Sequence, residues 1–189
     1  MKAAVIGANG QLGTEVCRAY GEAGYEVTAL THEDLAVEDG VQTRAALDAI
    51  GPDVVVNTAA MHHLERCEGE PARAFEVNGE GSRNVAREVQ RLGATLIYIS
   101  TDYVFDGATT APYSEADCPA PLNVYGTTKL CGEHFARALC DRHLVVRVSG
   151  LFGDAPCRAK GGLNFVDLML HLARERGTVR VVDDERGSP

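Results

Sequence analysis

Basic residues are scarce in this chain. Eighteen Lys and Arg stand against 27 Asp and Glu, for a formal net charge of −9. So acidic a surface lacks the electrostatic footprint of a nucleic-acid binder, and it would not be drawn to an anionic membrane. An anionic ligand would have to be held locally, by backbone N–H groups and a few cations. Long apolar runs are also missing, and nothing approaches the ~20 residues of a transmembrane helix. The first run, in MKAAVIGANGQLG, is broken by glycine and Asn9 before it could serve as a signal peptide. A cytoplasmic protein is therefore expected. The six cysteines, Cys17, Cys67, Cys118, Cys131, Cys140 and Cys157, form no C-x-x-C pair and are irregularly spaced. Without a secretion signal that pattern reads as reduced thiols. His62 and His63 are adjacent and point different ways, so no metal site is expected.

What the sequence has is alternation. Short Val- and Ile-rich runs at 2–7, 25–30, 53–59, 95–100, 143–150 and 179–184 are almost continuously apolar. That suits parallel strands buried on both faces. Helix-like stretches lie between them, at 12–23, 40–50, 72–92, 126–141 and 164–176. The order predicts an α/β fold: a Rossmann-like, doubly wound parallel sheet of about six strands with helices on both faces. Gly/Pro-rich stretches at 106–121 and 153–162 read as loops. A length of 189 residues fits one domain with one sizeable core.

Two motifs carry chemistry. VIGANGQLG follows the first strand and opens the first helix, with Gly7, Gly10 and Gly13 spaced G-x-x-G-x-x-G. Glycines there permit a tight turn, close approach of a pyrophosphate and close helix–strand packing, while the helix N-terminus favours a phosphate. Structural glycine at such a corner is the plainer alternative. The second strand ends in Thr31 and His32, with Glu33 and Asp34 beyond and no arginine, which leaves the choice between NAD and NADP open. The second motif is VYGTTK, where Tyr125 and Lys129 share a helix face. A lysine beside a tyrosine can lower the phenol's pKa and make it a proton donor to a carbonyl. An ordinary exposed i,i+4 pair is the plainer alternative. Ser100, Thr101, Asp102 and Tyr103 end the fourth strand and Asn57–Ala60 the third, at the edge where ligands bind in open α/β sheets. A helix or turn cap is the plainer role for Thr101.

The blocks GANGQLG, NTAA, STDYVFDG and APLNVYGTTKLCGE, with NFVDLMLHLARERGTVRVVDDERGSP, resemble the extended short-chain dehydrogenase/reductases, and within them the dTDP-4-dehydrorhamnose reductases. The resemblance implies NADPH- or NADH-dependent reduction of the 4-keto group of a nucleotide-linked deoxysugar, NADPH being slightly favoured. It implies Thr101, Tyr125, Lys129 and Asn78 as the catalytic set, Asn78 acting on the lysine through water. It also implies cofactor contacts from Gly7, Asn9, Gly10, Gln11, Leu12, Gly13, Asp34, Leu35, Asn57, Ala59, Ala60, Met61 and Ser100, as well as from Tyr125 and Lys129. On the substrate side it implies Thr101, Asp102, Tyr103 and Gly150. Gly150, in RVSGLFG, stands where these reductases carry a tryptophan, and this chain has no tryptophan. A homodimer fits the resemblance. Residues 1–189 correspond to the NAD(P)-binding domain, with the C-terminal substrate-binding domain expected to be absent from this chain. A related branch, the regulatory subunit of methionine adenosyltransferase, supplies the alternative of a non-catalytic NADP-binding partner protein.

Overall fold

The structure is a computed structural model that describes residues 1–153, 155 and 162–181. Its strands are β1 (Lys2–Ile6), β2 (Glu26–Leu30), β3 (Val54–Asn57), β4 (Thr95–Thr101) and β5 (His143–Val148). They form one sheet in the order β2-β1-β3-β4-β5, and every neighbouring pair is parallel. Both faces are covered, which is why β1 and β3 read as unbroken apolar runs. On one face Ala4, Ile6, Val55, Leu96 and Tyr98 pack with Leu47, Val85 and Val89 from the helices. On the other, Val5, Val54 and Val56 pack with Val16, Cys17 and Tyr20. The expected sixth strand is not seen over its described part. Residues 179–181 follow the last helix without pairing, and 182–184 lie outside the described residues, as does most of the 153–162 loop.

The helices are α1 (Gln11–Glu22), α2 (Gly40–Ile50), α3 (Leu64–Gly69), α4 (Pro71–Phe75), α5 (Gly81–Leu92), α6 (Val124–Leu139) and α7 (Phe165–Arg176). The single helix expected over 72–92 is interrupted. Pro71 starts α4, where its missing N–H costs nothing, and a π-helical turn, Glu76–Glu80, separates α4 from α5. Side-chain caps fix the starts of α2, α6 and α7: Asp39, Asn123 and Asn164 each accept from backbone N–H groups of the first turn. Helix α1 differs, because Gly10 occupies its cap position and no side chain caps it.

From β1 the chain moves outward to β2, returns to β3 on the other side of β1, then continues to β4 and β5. The β1/β3 boundary is thus the switch point, where adjacent crossovers leave a crevice beyond the carboxyl ends of the strands. The glycine loop and the Asn57–Met61 segment meet there.

Candidate active site

The glycine loop is built from three glycines with different duties. Gly7 has φ +81°, and a Cβ on it would lie 2.7 Å from Thr58 Oγ1 and 2.8 Å from the Ala59 nitrogen. A Cβ on Gly13 would lie 2.2 Å from the Gly7 carbonyl oxygen. Both are demanded by the packing of the fold itself. Gly10 is not: its nearest neighbour would be the Gly7 oxygen at 3.2 Å. The loop is held by the Gly7 and Ala8 N–H groups donating to the Leu30 carbonyl at 2.8 and 3.0 Å. Thr58 ties it to β3, donating through Oγ1 to the Ile6 carbonyl at 2.7 Å. Asn9 is exposed, Gln11 and Leu12 are half-buried, and Gln11 Nε2 reaches across to the Leu151 carbonyl at 3.3 Å.

At the end of β2, Asp34 turns back on Thr31. The Thr31 N–H and hydroxyl both donate to its Oδ2, at 2.9 and 2.7 Å, and these bonds hold its carboxyl below the usual range. The Leu35 side chain is 2% exposed and belongs to the core, so any ligand contact at Leu35 falls to its backbone.

Across the crevice, buried Asn57 accepts from the Ala59 N–H at 3.1 Å, and Ala59, Ala60 and Met61 are half-buried. Asn78, in the π turn and fully buried, clamps this segment. Its Oδ1 accepts from the Met61 N–H at 2.8 Å, and its Nδ2 donates to the Met61 carbonyl at 3.0 Å and to Thr128 Oγ1 at 2.9 Å. Thr128 in turn donates to the Tyr125 carbonyl at 2.9 Å. The side chain of Asn78 therefore reaches helix α6 through Thr128, a residue the sequence reading passed over.

Helix α6 presents Tyr125 and Lys129 to the sheet edge. Gly126 permits the approach, since a Cβ there would lie 2.2 Å from the Tyr103 carbonyl oxygen. Tyr125 lies edge-on to Tyr103, with ring centroids 5.9 Å apart. Thr101 caps the short 3-10 turn Asp102–Val104: its Oγ1 accepts from the Tyr103 N–H at 3.2 Å and donates to Asp102 Oδ1 at 3.1 Å. The expectation that the lysine lowers the phenol's pKa is not met in the chain alone. Burial pushes Tyr125 up to about 12, with the neighbouring Thr101 hydroxyl opposing it. Burial pulls Lys129 down to about 7, with the Glu133 charge opposing it. Desolvation is the largest cause in both cases. Lys129 is 2% exposed, and its Nζ sits 4.3 Å from the centroid of the Tyr98 ring. No hydrogen bond joins that ammonium to an acceptor among the described residues.

One turn beyond Lys129, the fully buried Glu133 accepts from Arg147 Nε and Nη2 at 2.8 and 2.7 Å and from Ser100 Oγ at 2.6 Å. The Ser100 side chain is thereby committed to the interior, leaving its backbone for a ligand. Glu133 and Arg147 were missed in the sequence, although an arginine inside the apolar run HLVVRV signals a buried partner. Gly150 is exposed, and a Cβ on it would meet nothing nearer than the Phe152 ring at 3.8 Å.

Known proteins share this fold. Residues 1–189 match the family described as RmlD substrate binding domain. The spore coat polysaccharide biosynthesis protein SpsK of Bacillus subtilis is 42% identical over 100% of this chain and 64% of its own length. A dTDP-4-dehydrorhamnose reductase of Streptomyces griseus is 42% identical over 98% of this chain and 59% of its own. The crystal structure of a Bacillus anthracis dTDP-4-dehydrorhamnose reductase in complex with NADP superposes with a TM-score of 0.86 at 35% identity, covering 93% of this chain and 60% of that one. The chain thus spans roughly three fifths of the length of these relatives. It belongs to the RmlD substrate binding domain family, among the extended short-chain dehydrogenase/reductases that resemble dTDP-4-dehydrorhamnose reductase.

Proposed function

We propose that this chain is the cofactor-binding and catalytic part of an NADPH- or NADH-dependent reductase acting on the 4-keto group of a nucleotide-linked deoxysugar. The observation that carries the reading is Lys129, 2% exposed and with no hydrogen-bond acceptor for its ammonium among the described residues, in the helix turn after Tyr125 at the carboxyl edge of a parallel sheet. Such a donor is costly unless a ligand supplies its acceptor. Two further features fit a dinucleotide. Helix α1 starts without a side-chain cap, so its first N–H groups are available to a pyrophosphate, and Gly10 leaves room for one. A bound nicotinamide dinucleotide would supply the hydride. Lys129 would donate to the hydroxyls of its ribose, and Tyr125, beside Thr101, would give its proton to the sugar's keto oxygen. The Thr31 bonds keep Asp34 ionised at the end of β2, where a carboxylate suits a ribose 2′-hydroxyl better than a 2′-phosphate. The Bacillus anthracis relative, however, is in complex with NADP, so both dinucleotides belong in the test.

The test is NADPH and NADH oxidation against dTDP-4-dehydrorhamnose and other nucleotide 4-keto sugars. Tyr125→Phe is expected to lose roughly 100-fold or more in turnover, the scale of lost general acid catalysis, with NADPH affinity unchanged. Wild-type turnover by that variant would rule out Tyr125 as the proton donor.

A further inference from the structure

The loop after β4 rims the proposed site. It touches helix α6 directly at Tyr103, and a side chain from β5 adds a second tie between the two. Arg147 projects from β5 and is mostly buried, with 16% side-chain exposure. Its edge makes the two-pronged pair with Glu133 on α6, at 2.8 and 2.7 Å. Its guanidinium lies over the Phe105 ring, with Cζ 4.8 Å from the centroid. Phe105 stacks on Tyr113 at 4.2 Å with the planes 10° apart, and the Tyr113 hydroxyl donates to Asp106 at 2.6 Å. A guanidinium can do both at once because it is planar: the fork lies in the plane and the cation–π contact above it. Glu133 lies four residues on from Lys129 and eight from Tyr125, on the same face of α6.

We propose that Arg147 is a positioning residue that fixes the loop carrying Asp102, Tyr103 and Phe105 to helix α6, so that the sugar-side rim and the Tyr125–Lys129 turn hold one register. The inference rests on the reductase reading for its substrate, but the coupling itself does not. A second cation, Arg137, reaches the same carboxylate at 3.1 Å, so Glu133 keeps a partner if Arg147 is altered. Beyond the direct Tyr103–Tyr125 contact, the part of the coupling that runs through β5 is therefore Arg147 on Phe105. Loss of a half-desolvated cation–π contact corresponds to a factor of about ten.

The test uses Phe105→Leu, which keeps an apolar side chain but removes the ring, Phe105→Tyr, which keeps the ring, and Arg147→Lys, which keeps the charge but loses the plane. Hydrogen exchange is read in the ligand-free protein. Phe105→Leu and Arg147→Lys are expected to speed exchange about tenfold both in 102–113 and in the first turn of α6, 124–129, while Phe105→Tyr matches wild type. Faster exchange in 102–113 with 124–129 unchanged would overturn the coupling, as would no change in either. In turnover with NADPH and dTDP-4-dehydrorhamnose, Phe105→Leu is expected to raise KM for the sugar nucleotide about tenfold, with NADPH affinity unchanged. An equal loss in NADPH affinity would mark a general structural defect and overturn the positioning role. Absence of NADPH and NADH binding in the wild type would instead refute the reductase reading, and the exchange result decides the coupling with or without turnover.

Discussion

Lys129 is buried to 2% exposure, and its ammonium lies over a tyrosine ring rather than against a carboxylate. That arrangement opposes folding. Its pKa falls from 10.5 to about 7 in the protein, so between those values the unfolded chain binds more protons than the folded one. Stability from this group therefore rises with pH from about 7 to 10.5, and its cost is fully present below 7. Lys129→Met is expected to stabilise the ligand-free protein at pH 6 by a few kcal/mol. The difference from wild type should shrink towards pH 9.5, as read from urea midpoints, and other titrating groups cancel between the two proteins. NADPH affinity should fall in the same variant. Destabilisation at pH 6 would show the lysine to be a structural residue. The Y-x-x-x-K spacing was legible in the sequence because helix periodicity is local. The burial that inverts the pKa shift expected of Tyr125 was not, because it depends on the sheet edge, which comes from elsewhere in the chain.

Helix α6 shows the same division at the level of an element. Its extent was expected at 126–141 and is observed at 124–139, with Asn123 capping it. Its glycines could not be interpreted from the sequence, where each is simply a poor helix former. In the fold, a Cβ on Gly132 would lie 2.1 Å from Tyr98 Oη and 2.9 Å from Ser82 Oγ. Tyr98 is 1% exposed and its hydroxyl donates to the Lys129 carbonyl at 3.2 Å, so the ring has nowhere to retreat. Alanine gains about 1 kcal/mol in helix propensity, while overpacking a filled core costs about 1–3 kcal/mol. Gly132→Ala is thus expected to destabilise by up to about 2 kcal/mol in a denaturant titration. A more stable variant would mean that α6 is not held against Tyr98 as described. The π turn at Glu76–Glu80 was equally hidden: the apolar period of 72–92 runs through it, and what marks it is the burial of Asn78 against Met61 and Thr128.

For the whole molecule, the sheet and both its faces were legible because β1 and β3 are short, branched and continuously apolar, and short corners leave little freedom in connecting them. Over its described part, 179–181, the expected sixth strand does not pair, because Val-Arg-Val has strand character by itself but needs a neighbour. The site lies where the two halves of the sheet diverge, so a dinucleotide there would touch α1 and the β3 and α6 edges together and bind only the assembled fold. At 100 times its dissociation constant such a ligand adds about 2.7 kcal/mol, or about 5–10 °C in Tm for a domain of this size. The three loop glycines then separate folding from binding. Gly7→Val meets a φ of +81° and backbone at 2.8 Å, and Gly13→Val meets the Gly7 oxygen at 2.2 Å. Both are expected to lower Tm sharply without ligand. Gly10→Val meets only one atom at 3.2 Å, at a cap position with φ −79° that suits any residue. Its ligand-free Tm should stay near wild type, and the NADPH-induced rise should vanish because the added methyls occupy the space left for the pyrophosphate. A Gly10→Val protein that keeps the full thermal shift would place the dinucleotide somewhere other than this loop.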